Sequence, residues 1–200
     1  VRDYATPAVA QHVFAMVLAL ATRLIDYRES VRAGDWSRAK QFCLLDHPIF
    51  ELAGKRLGII GHGVLGRAVA ALGQAFGMEV LVSQRPGGEP QPGRVPLDEL
   101  LTAVDVLSLH CPLTPETHGL IGASEFERMK PSALLINTAR GGIVDESALA
   151  DALRRGLIAG AGFDVLTVEP PTDGNPLLAE DIPNLILTPH VAGVTRESNR

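Results

Sequence analysis

The stretch that decides the fold of this chain is Leu57-Gly58-Ile59-Ile60-Gly61-His62-Gly63-Val64-Leu65-Gly66. Its first four residues are mostly apolar and predict a buried strand, and apolar residues then recur at helical spacing as far as Phe76. A strand, a tight turn with the spacing G-x-G-x-x-G and a helix are the setting in which such a turn binds the phosphates of a dinucleotide. An ordinary tight turn between a strand and a helix is the alternative interpretation.

Each glycine of this turn has a separate expected task. Gly61 permits the sharp change of direction, Gly63 lets the backbone approach a pyrophosphate, and Gly66 lets the helix pack closely on the strand. The N-terminus of the helix then offers backbone N–H groups to an anion. These tasks make the turn a candidate dinucleotide site.

The end of the second predicted strand bears on the choice of dinucleotide. A site for NAD has an aspartate or glutamate about 20 residues after the glycine turn, where it binds the ribose hydroxyls. Here the window contains Ser83, Gln84 and Arg85, so a neutral residue followed by a cation replaces the acid. Since an arginine attracts a 2′-phosphate, the window favours NADP over NAD as the cofactor. The alternative is that Arg85 is a solvated loop cation.

The rest of the chain continues the alternation of strands and helices. Strands are predicted at 80–83, 106–110, 133–137, 158–165 and 185–187, and helices at 97–103, 123–129 and 145–155. Before them, one long helix is predicted from Thr6 to Arg32, with Thr6 as its N-cap, Pro7 in its first turn and Gly34 closing it. Asp145 is predicted to cap the last helix. The pattern predicts an α/β fold, a doubly wound parallel sheet of Rossmann type with helices on both faces.

Composition excludes several classes of protein. The chain has 200 residues, 46% of them apolar and 20% charged, with a formal net charge of -5, which is typical of a soluble globular protein and unlike a disordered chain or a general nucleic-acid binder. Its two cysteines, Cys43 and Cys111, suggest neither a disulfide framework nor a metal site. The longest apolar stretch, 13–20, is shorter than the ~20 residues that span a bilayer, and its flanks do not resemble a signal peptide. We therefore expect a cytoplasmic protein without a membrane or nucleic-acid partner.

Three polar residues follow predicted strands, at the carboxyl edge where ligands bind in an open α/β sheet. They are Arg140, Glu169 and His190. Taken singly, each has an ordinary explanation, as a surface ion pair, a turn acid and a loop histidine. Taken together, they supply a clamp for an anion, a carboxylate to orient an imidazole, and an imidazole to transfer a proton. The three residues are therefore candidate catalytic residues.

Five segments, in order along the chain, carry a family resemblance. They are Gly61-His62-Gly63-Val64-Leu65-Gly66, Leu109-His110-Cys111-Pro112-Leu113-Thr114, Asn137-Thr138-Ala139-Arg140-Gly141-Gly142-Ile143-Val144-Asp145-Glu146, Asp164-Val165-Leu166-Thr167-Val168-Glu169-Pro170-Pro171 and Thr188-Pro189-His190-Val191-Ala192-Gly193. With these segments the chain resembles the D-isomer-specific 2-hydroxyacid dehydrogenases. Asn175-Pro176-Leu177-Leu178 is most similar to the glycerate dehydrogenase and hydroxypyruvate reductase branch.

The resemblance implies roles for individual residues. Arg140 is expected to bind the substrate carboxylate and carbonyl, His190 to donate a proton, Glu169 to pair with His190, and Asp164 to hold the nicotinamide amide. The residues that the resemblance places along the cofactor cleft, mainly through their backbones, are Val64, Leu65, Cys111, Pro112, Thr138 and Gly193. The chain departs from the NAD-using members at Gln84, which occupies the position of their ribose-binding acid.

The resemblance also implies an activity and a domain organisation. We expect reversible hydride transfer between NAD(P)H and a small 2-oxo acid such as glyoxylate or hydroxypyruvate, with a dinucleotide-sensing corepressor as the alternative. In this family the nucleotide domain is inserted within a smaller substrate domain, so residues 1–200 are expected to form the dinucleotide-binding domain, inactive without the other. The long helix within residues 1–34 is expected either to form a homodimer interface or to cover its own core.

Overall fold

A six-stranded sheet forms the centre of the computed structural model, which describes residues 5–197. Its strands are β1 (Arg56–Ile60), β2 (Glu79–Val82), β3 (Val106–Leu109), β4 (Leu134–Asn137), β5 (Gly160–Phe163) and β6 (Leu185–Leu187). They are ordered β2-β1-β3-β4-β5-β6, and every neighbouring pair is parallel. Residues 1–4 and 198–200 of the predicted domain lie outside the described residues.

Helices cover both faces of this sheet. They are α1 (Thr6–Ala21), α2 (Leu24–Arg32), α3 (Asp35–Arg38), α4 (Val64–Ala75), α5 (Leu97–Ala103), α6 (Ala123–Arg128) and α7 (Glu146–Arg155), with a 3₁₀ turn at Pro176–Leu178. Successive strand residues enter opposite cores: Leu134 and Ile136 of β4 pack with α1 and α4, while Leu135 between them packs with α5, α6 and α7. The predicted doubly wound parallel sheet is confirmed.

The strand order places the site. β1 lies between β2 and β3, so the chain leaves β1 to one side and later returns on its other side. In such a sheet a crevice opens outside the carboxyl ends of the strands, at the point where the winding reverses. The glycine turn after β1 and the loops after β3, β4, β5 and β6 all meet at this edge.

The predicted single helix from Thr6 to Arg32 is wrong in one respect, because α1 and α2 are separate helices that meet at a bend of 57°. The hydroxyl of Thr22 donates to the carbonyl of Leu18 at 2.7 Å, and the N–H of Phe50 donates to the carbonyl of Ala21 at 3.1 Å. These bonds compete with the regular backbone hydrogen bonds of the helix, which are interrupted here. Arg23 then adopts a left-handed backbone conformation, with φ of 52°. No single helix of residues 5–197 is long and apolar enough to span a membrane.

The ends of α1 and α7 test two of the predicted helix caps. Thr6 is the first helical residue and not the N-cap, which is Ala5 without a capping side chain. Asp145 does cap α7, since its side chain accepts from the N–H of Ala148 at 2.9 Å. Gly156 ends α7 in the left-handed conformation that a glycine tolerates, with φ of 69°. The Asp145 prediction is therefore confirmed and the Thr6 prediction is wrong.

Helix α1 lies unusually close to β5, and glycine makes this approach possible. A Cβ atom at Gly162 would lie 2.8 Å from the sulfur of Met16, and one at Gly160 would lie 3.1 Å from Leu20. The buried face of α1, including Val13 and Val17, therefore covers this protein's own sheet. The predicted strand 158–165 is shorter as observed, because the sheet pairing ends at Phe163 and leaves Asp164 beyond it.

Candidate active site

The glycine turn after β1 has the geometry of an anion cradle. Gly61 has φ of +94°, and a Cβ atom there would lie 2.5 Å from the backbone of His110 and Cys111. A Cβ atom at Gly66 would lie 2.0 Å from the carbonyl oxygen of Gly61, so helix and turn touch through their backbones. No described atom lies within 4 Å of a Cβ atom at Gly63, which leaves the N-terminus of α4 open to a ligand.

A cavity of about 700 Å³ opens beside this turn, toward the end of β2. Residues from the sequence prediction that line it are Gly61, Ser83, Arg85, Cys111 and Pro112. Ser83 is buried and forms a bridge with Val95, and the N–H of Gln84 donates to the carbonyl of Val95 at 2.8 Å. These contacts fix the backbone of the window, and Gln84 itself does not line the cavity.

Two further basic residues line the same cavity and were missed by the sequence analysis. They are His62, inside the glycine turn, and Arg94, which follows a loop rich in glycine and proline. The pKa of His62 is lowered by burial, then by the charge of Arg94 and of Arg67. Arg94 is half-buried, and among residues 5–197 it forms no ion pair with a carboxylate. The only signal in the sequence was its basic character near the ribose window.

Arg85 differs from Arg94 in its exposure and in its charged neighbours. It is exposed, and its charge helps to lower the pKa of Glu116, after the stronger effects of hydrogen bonds from the backbone of Glu116 and the side chain of Thr114. Glu89 and Glu116 also line the cavity. Arg85 therefore has an acidic neighbour, whereas Arg94 adds positive charge beside His62.

The imidazole of His190 and the carboxylate of Glu169 form a close pair. Nδ1 of His190 lies 2.5 Å from Oε2 of Glu169, and Oε1 of Glu169 accepts from the N–H of Leu166 at 2.7 Å. The side chain of His190 is 52% exposed and that of Glu169 is 33% exposed, so the pair faces the surface of the carboxyl edge. With Asp164 they line a cavity of about 430 Å³.

Asp164 holds the segment that carries His190. Its buried carboxylate accepts from the hydroxyl of Thr188 at 2.5 Å and from the N–H groups of Val191 at 2.9 Å and Ala192 at 2.8 Å. His190 lies between these donors with φ of 55°, a strained conformation for a residue other than glycine. The carboxylate of Asp164 therefore keeps His190 in a backbone shape that it does not adopt readily.

Arg140 is placed by the residues around it. The side-chain amide of Asn137 donates to the carbonyl of Arg140 and accepts from the N–H of Ala139, both at 3.0 Å. A Cβ atom at Gly141 would lie 1.9 Å from the carbonyl oxygen of Leu166, so the Arg140 loop packs directly on the segment that binds Glu169. Arg140 is exposed at this edge, its Nη1 donates to the carbonyl of Ala139 at 2.6 Å, and it lines neither of the two cavities.

Buried polar groups without partners lie at the ends of β3 and β4. The hydroxyl of Thr138 and Nδ1 of His110 have no hydrogen-bond partner among the described residues. Nε2 of His110 lies 2.8 Å from the hydroxyl of Ser108, and burial lowers the pKa of His110 to about 4. Burial also raises the pKa of the Cys111 thiol. Burial therefore keeps the imidazole of His110 and the thiol of Cys111 neutral near neutral pH.

The remaining predicted residues stand around the two cavities without lining them. Val64 begins α4 and is exposed, while Leu65 follows it in the first turn of that helix. Gly193 follows the His190 segment, and a Cβ atom there would lie 3.4 Å from Ala5. Two observations fit a bound dinucleotide. The open space over Gly63 leaves room for a ligand, and the unpartnered hydroxyl of Thr138 can form a hydrogen bond with one.

The sheet, the fingerprint turn and the crevice define a dinucleotide-binding α/β domain. The chain belongs to the D-isomer specific 2-hydroxyacid dehydrogenase family, and its residues 14–192 match the NAD binding domain of that family. The resemblance inferred from the five segments is therefore confirmed.

Three proteins show what the chain is similar to over most of its length. The chain is 52% identical over 198 residues to glycerate dehydrogenase of Methylorubrum extorquens, which covers 99% of this chain and 62% of the relative. D-lactate dehydrogenase from Aquifex aeolicus, complexed with NAD and lactic acid, has a TM-score of 0.82 at 36% identity and covers 100% of this chain and 63% of its own. An acyclic imino acid reductase in complex with NADPH and D-Arg has a TM-score of 0.81 at 32% identity, and the match covers 98% of this chain and 61% of the reductase chain.

These relatives bear on the expected function, on the share of their length that the chain covers and on the cofactor. The likeness to glycerate dehydrogenase is confirmed, and the corepressor alternative is not favoured, because the relatives named are enzymes. The chain spans a little over three fifths of the length of these relatives, 62% of the first. Because residues 14–192 match an NAD binding domain, a nicotinamide dinucleotide is the cofactor class; one structural neighbour contains NAD and another contains NADPH.

Proposed function

We propose that this chain is the dinucleotide-binding part of an enzyme that interconverts a small 2-oxo acid and its 2-hydroxy acid with NAD(P)H. The single observation that carries the proposal is the contact between His190 and Glu169 at the edge of the sheet that also bears the glycine turn. Glyoxylate and hydroxypyruvate are the proposed substrates, in keeping with the likeness to a glycerate dehydrogenase.

His190 is the proposed proton donor. A nicotinamide, when bound, would supply a hydride to the carbonyl carbon, and the carbonyl oxygen would then need one proton to become the hydroxyl. Because the Glu169 carboxylate only accepts hydrogen bonds, Nδ1 of His190 carries a proton, and Nε2 remains for the substrate. The carboxylate also stabilises the imidazole in its charged form before the proton leaves.

Arg140 is the proposed substrate clamp. A planar guanidinium binds a carboxylate through two parallel hydrogen bonds, which fixes the orientation of a small 2-oxo acid. The side chain of Asn137 donates to the backbone carbonyl of Arg140, and the loop at Gly141 packs against the backbone of Leu166. Asp164 is proposed to support the nicotinamide end of the crevice, since its Oδ2 accepts only one hydrogen bond from the described residues.

NADP(H) is the proposed preferred cofactor. No acid occupies the ribose position, where Gln84 stands, and two arginines line the cavity beside it. Arg94 joins Arg85 in this proposal because it is half-buried and forms no ion pair with a carboxylate of the described residues. A 2′-phosphate would find its countercharge there.

The proposed assembly has a second domain and a second subunit. Residues 1–200 supply the dinucleotide-binding domain, and the greater length of the relatives supports a separate substrate domain that closes over the crevice. Apolar side chains of α2 and the segment after it are exposed, and a second copy of the chain is the proposed cover: Leu24, Ile25, Val31, Trp36, Phe42, Leu45 and Ile49. Since Cys43 and Cys111 are free thiols, the cytoplasm is the proposed location.

The deciding experiment is an assay of the longest natural chain that contains these residues. Oxidation of NADPH and NADH is followed with hydroxypyruvate, glyoxylate and pyruvate, beside the 200-residue chain alone. Turnover by the long chain and little by the short one is expected, because a closed, water-poor cleft needs both domains. Failure of the long chain to reduce any of the three acids would refute the proposed function.

Sedimentation of the 200-residue chain tests the dimer, and a monomer at all concentrations would contradict it.

A further inference from the structure

We propose that Glu146 is a positioning residue for the proton donor, acting through the loop that carries Glu169. This inference rests on the proposed function, because it concerns the same His190 site. Glu146 touches neither His190 nor the crevice. It is the first residue of α7 and is half-buried between that helix and the loop 166–177.

The carboxylate of Glu146 ties this loop down at two points. Its Oε1 accepts from the N–H of Thr167 at 2.7 Å, and its Oε2 accepts from the side-chain amide of Asn175 at 2.6 Å. The two donors lie near opposite ends of the loop, and Glu169 lies between them in the sequence. One side chain therefore closes the loop that presents Glu169.

Neighbouring backbone groups link this anchor to the active-site pair. The N–H of Leu166 donates to Oε1 of Glu169, and the next N–H along the chain, that of Thr167, donates to Glu146. The other oxygen of Glu169 faces Nδ1 of His190. A shift at Thr167 therefore moves the carboxylate that orients the imidazole.

The anchor itself is rigid. Helix α7 is capped by Asp145 and buries Leu149, Ala150 and Leu153 in the core. Glu146 extends from the first turn of this helix, so its position is set by the packing of the fold and not by the loop. The loop, in contrast, is largely exposed at residues 167–170.

The donors around Glu146 require two acceptor oxygens at this position. Asn175 uses its Oδ1 to accept from the N–H of Leu177 at 2.9 Å, so its NH₂ group is the one that faces Glu146. A glutamine at 146 can keep only one of the two bonds and places an NH₂ group against another N–H donor. The variant Glu146→Gln therefore loosens the loop without a change of size.

A second substitution restores the pairing with donor and acceptor exchanged. In the double variant Glu146→Gln with Asn175→Asp, the new carboxylate still accepts from Leu177 and also accepts from the glutamine NH₂ group. The glutamine oxygen then accepts from Thr167.

The test measures kcat, KM and cofactor affinity in the longest natural chain. We expect Glu146→Gln, and Asn175→Asp alone, to lower kcat by about 10- to 100-fold with little change in cofactor Kd, because a misplaced orienting group costs rate and not dinucleotide contacts. The double variant is expected to recover most of kcat. Asp151→Asn, an exposed acid on the same helix that pairs with Arg155, is the control and is expected to behave as the parent.

A readout without turnover separates this inference from the proposed function. Amide hydrogen exchange at Leu166 and Thr167 is expected to be faster in Glu146→Gln and to return toward the parent rate in the double variant. Exchange and kcat that stay at the parent level in Glu146→Gln, or a double variant as impaired as the single ones, would overturn the positioning role. If the parent chain reduces no 2-oxo acid, the proposed function fails, and exchange at these two amides still decides whether Glu146 anchors the loop.

Discussion

Nδ1 of His190 lies 2.5 Å from Oε2 of Glu169, and the two residues come from different loops at the carboxyl edge of the sheet. Each is held from behind by a backbone contact. Glu169 uses its other oxygen to accept from the N–H of Leu166, and Asp164 binds the N–H groups that follow His190. The imidazole is therefore oriented at its ring and at its backbone, which leaves Nε2 as the nitrogen that can reach a substrate.

The first prediction concerns this pair. We expect His190→Gln to lower kcat by about 10²- to 10⁴-fold in the longest natural chain, because general acid catalysis contributes a factor of this size. Glu169→Gln is expected to give a smaller loss, since the imidazole remains but is less well oriented. Steady-state kinetics with the best 2-oxo acid measure both effects, with cofactor binding by calorimetry as the control. Parent-like turnover by His190→Gln would remove His190 from the mechanism.

The second prediction concerns cofactor choice. We expect Arg94→Ala and Arg85→Ala each to weaken NADPH binding more than NADH binding, by about 1.5 to 3 kcal/mol for an arginine that contacts the 2′-phosphate. Arg94→Ala is expected to have the larger effect, because Arg85 is exposed and near Glu116. Calorimetric titration of both cofactors measures the change, with Arg155→Ala as the control, because Arg155 pairs with Asp151 on α7 and does not line the cavity. Equal affinity of the parent chain for NADPH and NADH would contradict the prediction.

The third prediction separates two glycines of the fingerprint turn. In Gly66→Ala the new Cβ would meet the carbonyl oxygen of Gly61 at 2.0 Å, so we expect a loss of unfolding free energy of about 3 kcal/mol, as for severe overpacking. Gly63→Ala places its Cβ in open space and is expected to change stability by less than about 1 kcal/mol while weakening dinucleotide binding. Urea unfolding and cofactor titration of both variants measure this. Equal stability losses would contradict the prediction that a Cβ atom is tolerated at residue 63 and not at residue 66.

The fourth prediction concerns pH. Burial lowers the pKa of His110 to about 4, below its ordinary 6.5, so the unfolded chain binds more protons than the folded chain between these values. Stability is therefore expected to fall as pH falls from about 6.5 to 4, by up to about 3 kcal/mol from this residue, and to be unaffected by it at higher pH. His110→Gln, which retains a group able to bond Ser108, is expected to flatten this part of the profile. Urea unfolding at a series of pH values measures it, and parallel profiles for both chains would contradict the assignment.

The local signals of the sequence determined the elements and their chemistry. Apolar spacing and the glycine turn predicted β1 and α4, the bounds of α5 and β6 agree with the prediction, and Asp145 capped α7 as expected. These features depend on short-range rules, namely side-chain periodicity and backbone conformations open to glycine. The five motifs, in order along the chain, likewise indicated the family, and the match of residues 14–192 confirms it.

Tertiary structure alone decided how the elements meet. The break between α1 and α2 depends on Phe50, far along the chain, because its N–H donates to the carbonyl of Ala21. The cation Arg94 reaches the cavity because residue 95 pairs with the end of β2. Asp164 holds the segment of His190, and Glu146 holds the loop of Glu169, across 27 and 21 residues of sequence. A single sequence shows which side chains can bond, but only the packed sheet brings the partners within hydrogen-bonding distance.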